Sequence, residues 1–189
     1  MQFIFINGAS STGKTTLARE MIKEKKYSLY NSCIGCKHIE TYQGEDAVIL
    51  DFITPNTKLT MDALLKLILP GQLITNYMTK PFIYYRYHCK LLFIITTYDI
   101  QTIFTHLNRF NRYKPKITLE EFNDLMSYYI HLDEKYIYFQ RWNFEAKKFE
   151  IKNKVKNYLY KQIKKYYQEK TEETKNFIEK TFKNLEEIK

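Results

Sequence analysis

The sequence predicts an α/β fold, with a central, mostly parallel sheet flanked by helices and a helical C-terminal tail. Three observations carry this expectation. Residues 2–6, 47–52 and 90–97 are short, nearly continuous apolar runs, the pattern of strands buried on both faces. Stretches with helical spacing lie between them, and strands alternating with helices build parallel sheets. From Lys152 the chain is charged and free of Pro and Gly, which reads as one or two exposed helices.

Gln2-Phe3-Ile4-Phe5-Ile6 reads as a central strand running into a glycine loop. Thr15 to Lys25 reads as a helix with Leu17, Ala18, Met21 and Ile22 on one side. Ala47 to Phe52 is a second buried strand, and Asp51 stands at its end. Thr60 suits the N-cap of a helix reaching Leu69, with Pro70-Gly71 as its stop. Lys90 to Thr97 is a third buried strand. Thr118-x-x-Glu121 is a capping box, from which a helix is expected to Leu132. Residues 136–151 alternate loosely and fit two short strands turned near Glu145-Ala146. In the tail, Val155, Leu159, Ile163 and Tyr166 keep a helical spacing, which Phe177, Ile178, Phe182 and Leu185 resume. The expected division is a domain over 1–150 and a charged helical tail over 151–189.

A chain of 189 residues can bury one α/β core without staples. No run of eighteen apolar residues occurs, so no membrane span is expected. The first residues lack the basic front and length of a secretory signal, and three cysteines make no disulfide framework, so an intracellular setting is expected. A net charge of +9 favours a polyanionic partner, although lysine also simply solvates surfaces.

The chemistry concentrates in the glycine loop. Gly8-Ala9-Ser10-Ser11-Thr12-Gly13-Lys14-Thr15, followed by Thr16, has the form of a phosphate-binding loop between a strand and a helix. Its glycines let backbone N–H groups converge on phosphate oxygens, and the helix N-terminus faces the same phosphates. Lys14 is expected to reach the β- and γ-phosphates of ATP, and the Thr15 hydroxyl to ligate Mg²⁺. Asp51 has the position of the acid that holds the Mg²⁺ water shell, and it is expected on the strand neighbouring the loop strand.

Beyond the loop, features from about Phe3 to Phe104 resemble the superfamily-three helicase domain of Rep proteins, the replication initiators of circular single-stranded DNA viruses and related plasmids. Tyr42-Gln43-Gly44-Glu45 precedes the strand ending in Asp51, as an aromatic, a glycine and an acid do in Rep. Met61 to Leu67 is similar to the helix that comes next there, and Thr79-Lys80-Pro81 falls where Rep carries a DNA-contacting lysine. Leu92 to Tyr98 resembles the Rep motif C strand, which puts Thr97 beside the reacting phosphates. The resemblance implies ATP hydrolysis with Mg²⁺, contact of Lys80 with single-stranded nucleic acid, and a homo-oligomeric ring. In such a ring an arginine from the next subunit meets the transferring phosphate, and Arg109 and Arg112, with Arg141 behind them, are the candidates. The corresponding segment can also be drawn through Tyr128-Tyr129, which would leave no finger. Phe52 stands where Rep usually has a second acid, and Tyr98 where it has a sensor asparagine. No His-x-His metal pair occurs, so DNA nicking is not expected.

Two other readings compete. The segment from Asn7 to Thr16 also resembles the loop of chloramphenicol-phosphotransferase-like kinases, with Arg109 and Arg112 as a lid pair and Asp51 as the base for an acceptor hydroxyl. A degenerate ATPase would instead bind nucleotide as a switch or assembly module. The order of features from Tyr42 to Tyr98 favours the helicase reading. Cys33-x-x-Cys36-x-His38 with His88-Cys89 has spacing that zinc tolerates, but free thiols are the favoured reading. The tail mixes Lys152, Lys154, Lys156, Lys161, Lys164 and Lys165 with tyrosines; it is expected to be solvated or to pack, although such a mixture can also grip nucleic acid.

Overall fold

The computed structural model describes residues 1–32, 42–68, 89–109 and 117–186. The chain runs β1 (Gln2–Gly8), α1 (Lys14–Lys25), β2 (Leu29–Ser32), β3 (Ala47–Leu50), α2 (Met61–Ile68), β4 (Leu91–Thr96), α3 (Ile100–Arg109), α4 (Leu119–Asp124), β5 (Tyr128–Leu132), β6 (Tyr136–Asn143), β7 (Lys148–Lys156) and α5 (Tyr158–Glu186). The strands form one seven-stranded sheet in the order β2-β3-β4-β1-β5-β6-β7. β2 through β5 pair in parallel with β1 at the centre, while β6 and β7 add an antiparallel hairpin. The expected α/β architecture with a mostly parallel sheet is what the chain adopts.

Alternation along β1 sends its side chains to two cores. Phe3 and Phe5 face one side with Leu64, Ile103, Leu107 and Phe122 from α2, α3 and α4. Ile4 and Ile6 face the other, with Ala18 and Ile22 of α1. Burying a side chain of this size stabilises by about 1.5–3 kcal/mol, so both faces of the central strands are anchored. Thr60 caps α2 through its hydroxyl, which accepts from the Ala63 N–H at 3.2 Å. The Thr118 capping box forms with both of its reciprocal bonds.

Three expectations need correction. The helix expected from Thr118 to Leu132 ends at Asp124, and Tyr128–Leu132 is β5. Its aromatic and β-branched side chains fit the pleated slot beside β1 better than a helix. β2 was not expected, since Leu29-Tyr30-Asn31-Ser32 is short and half polar. The tail is not helical from Lys152: residues up to Lys156 pair with β6, with a register shift opposite Phe139 and Gln140. The boundary expected after residue 150 therefore falls inside β7.

Candidate functional site

The glycine loop sits at the C-terminal end of β1. Gly8 (φ 146°), Ser11 (φ 61°) and Gly13 (φ 97°) all take positive φ, which folds the loop back over the strand end. A Cβ on Gly8 would run into the Leu132 carbonyl of β5, so the position requires glycine twice over. The Thr12 hydroxyl donates to the Ala9 carbonyl at 2.9 Å. α1 begins directly, with the Leu17 N–H on the Gly13 carbonyl at 2.8 Å, so its free N–H groups and partial positive charge point into the loop.

Lys14 lies buried in the loop, its ammonium donating to the Gly8 carbonyl at 2.9 Å and the Ala9 carbonyl at 2.6 Å. Burial pushes its pKa down from the ordinary lysine value, and the Asp51 carboxylate pulls it back up. The Thr15 hydroxyl donates to Asp51 Oδ2 at 2.7 Å, while the Phe52 N–H donates to Asp51 Oδ1 at 2.8 Å. The structure thus brings Asp51 to the adjacent pair Lys14 and Thr15, from 36 residues further along the chain than Thr15. Asp51 does not come from the strand next to β1, because β4 lies between β1 and β3. The end of β4 therefore lies between the ends of β1 and β3 in the sheet. There the buried Thr96 hydroxyl donates to the Ile53 carbonyl at 2.6 Å and accepts from the Tyr98 N–H at 3.0 Å. Thr97 is exposed and lines the same cavity as Lys14 and Asp51; Tyr98 is not among the lining residues.

The donor set fits a hard cation. A hydroxyl and a carboxylate at 2.7 Å offer oxygen ligands, and Mg²⁺ characteristically takes one or two protein oxygens and completes its shell from phosphates and water. Among the described residues no group of three or more His, Cys, Asp or Glu side chains could hold a metal by itself.

Two described candidates, Arg109 and Arg141, lie elsewhere. Arg109 is exposed in the last turn of α3, a helix of about 15 Å that carries it away from the β4 end. Arg141 sits on β6 with its guanidinium 4.8 Å from the Tyr128 ring centroid. Lys80, Arg112, Cys33, Cys36, His38 and His88 lie outside the described residues. Cys89 is buried, and burial pushes its thiol up to about 11, so it packs as a hydrophobe.

Two features escaped the sequence reading. Asn157 is buried between β7 and α5 and donates to the Thr12 carbonyl at 2.9 Å and the Asp133 carbonyl at 2.6 Å. Its side-chain oxygen accepts from the Tyr160 N–H at 3.2 Å, the N-cap bond of α5. An asparagine ahead of a helical pattern was the available signal. α5 then crosses the glycine loop: a Cβ on Gly13 would come within 2.7 Å of Leu159 Cβ and 3.5 Å of Ile163 Cδ1. The resulting cavity, about 510 Å³, runs from the loop and Asp51 to Gln162, Ile163, Tyr166 and Tyr167 of α5.

Fold and site define an α/β chain with a glycine loop at the centre of a mostly parallel sheet, closed on one side by its own C-terminal helix. No protein-family model matches the chain. It is similar to a protein named "Replication protein" of Onion yellows phytoplasma (strain OY-M), with 31% identity over 162 residues. The match covers 84% of this chain and 40% of that protein, so the chain spans well under half of the relative's length. No described helix is long and apolar enough to cross a membrane.

Proposed function

We propose that the chain is a P-loop ATPase of the Rep-like superfamily-three helicase type that acts on single-stranded nucleic acid during replication. The observation that carries the reading is the convergence of Lys14, Thr15 and Asp51 on one loop at the end of the central strand. ATP would place its phosphates on the loop N–H groups and Lys14 in exchange for the carbonyl contacts that lysine now makes. Mg²⁺ would be held by Thr15 and, through water, by Asp51, supplying charge neutralisation for phosphoryl transfer to water. Thr97, which lines the same cavity as Lys14 and Asp51, would meet the γ-phosphate or the attacking water. The similarity to a replication protein supports the same reading, as does the net charge of +9 for a polyanionic partner.

The kinase reading rests on the same loop, with Asp51 as the base for an acceptor hydroxyl. Turnover of ATP by the whole chain, with and without single-stranded DNA, tests the proposal. Magnesium-dependent phosphate release, stimulated by the strand and lost in Lys14→Ala, is expected. Phosphate transfer to a small hydroxyl compound with no response to DNA would favour the kinase, and nucleotide binding without turnover the assembly module.

A further inference from the structure

We propose that α5 supplies the nucleobase side of the site, with the base of the bound nucleotide stacking on Tyr166. The inference rests on the nucleoside-triphosphate reading above, and concerns a part of the chain to which nothing in the phosphate loop assigns a role.

The cavity is larger than a triphosphate needs and lies within the range of small-molecule sites. Its loop end is built for anions; its other end is not. There the wall is α5, contributing Gln162, Ile163, Tyr166 and Tyr167. Ile163 and Leu159 seat on Gly13, which fixes the helix over the loop. Gln162 and Tyr166 are one turn apart, so they share a face of α5. Tyr167 sets its ring edge-to-face against Tyr166, with centroids 5.7 Å apart and planes at 70°, which restrains the Tyr166 ring. Yet Tyr166 remains 56% exposed inside a recess that begins at the phosphate loop. Phe52, 65% exposed and held at φ 56°, is a further aromatic surface in the same recess. A planar ring is the ligand chemistry that such open aromatic faces take up, and every nucleobase offers one.

The experiment compares Mg²⁺–ATP with Mg²⁺–tripolyphosphate, which has the phosphates and no base, by calorimetry on the full chain. Parent, Tyr166→Ala, Tyr166→Phe and Lys14→Ala are titrated with each ligand. Tyr166 is more than half exposed, so the fold should survive its truncation. Tyr166→Ala should weaken ATP about tenfold and change tripolyphosphate by less than about twofold, and Tyr166→Phe should restore ATP. Equal losses for both ligands would make α5 a mere support of the loop, and unchanged ATP affinity would remove the stack; either overturns the inference. A gain for both ligands would make α5 a cover that obstructs the site, and also overturns it. Lys14→Ala should lose both ligands. If the parent binds neither, or Lys14→Ala binds both as the parent does, the phosphate-loop reading itself falls and takes the inference with it.

Discussion

Asn157→Ala is the sharpest test of how the C-terminal helix is joined to the glycine loop. The amide makes three hydrogen bonds: to the Thr12 carbonyl, to the Asp133 carbonyl and from the Tyr160 N–H. Loss of the N-cap acceptor costs about 1 kcal/mol. The Thr12 carbonyl lies in a fully buried setting, and stranding it without a donor costs about 1–3 kcal/mol. The Asp133 carbonyl is only partly buried, so water replaces most of its bond and adds about 0.5 kcal/mol. Together these give about 3 kcal/mol of destabilisation, a fall of about 1–2 M in the urea midpoint of a small domain. Asn157→Ser keeps an acceptor for Tyr160 and should recover about 1 kcal/mol of that loss. Urea titrations followed by circular dichroism measure both variants. An Asn157→Ala curve within about 0.5 kcal/mol of the parent would refute the reasoning, because a buried amide with three partners cannot then be holding the junction.

The same geometry yields further expected outcomes. Asp51→Asn still accepts from Thr15 and should keep the fold, but should lower magnesium-dependent ATP turnover by about 10- to 100-fold; parental turnover would remove Asp51 from the site. Cys89 has a folded pKa raised to about 11 by burial, so its contribution is complete below the unfolded thiol value and is lost as pH rises through the window toward 11. Stability should therefore fall by about 1 kcal/mol more between pH 8 and pH 10 in the parent than in Cys89→Val, read from paired urea titrations; equal losses would show the thiol is not protected.

Much of the geometry of the candidate site is local and was legible in the sequence. β1, β3 and β4 are continuous apolar runs, and the loop between β1 and α1 carries its own glycine and lysine spacing. Thr60 and Thr118 marked two helix starts through side-chain chemistry acting over three residues. The length of the helix begun at Thr118 was not legible, because Tyr128-Tyr129-Ile130-His131-Leu132 suits helix or strand until β1 claims it by pairing. Insertion of β4 between β1 and β3 is likewise a property of the sheet, which no local spacing encodes. The role of Asn157 and α5 was hidden for the same reason: the bond from Asn157 to Thr12 spans 145 residues. What the tail displayed locally was lysine and tyrosine, and that composition is equally compatible with solvation.

The strand that ends in Lys156 also determines where the chain can be divided. Proteolysis or shortening after residue 150 would remove the part of β7 that pairs with Tyr136 to Gln140. Part of β6 would then become an unpaired edge, with backbone donors and acceptors free to recruit another strand. The same cut would strip Leu159 from the buried cluster that includes Ile4, Ile6 and Ile137, opening that core. An oily patch beside a bare edge favours aggregation over a smaller working domain. A minimal fragment of this protein therefore has to run through β7 and into α5.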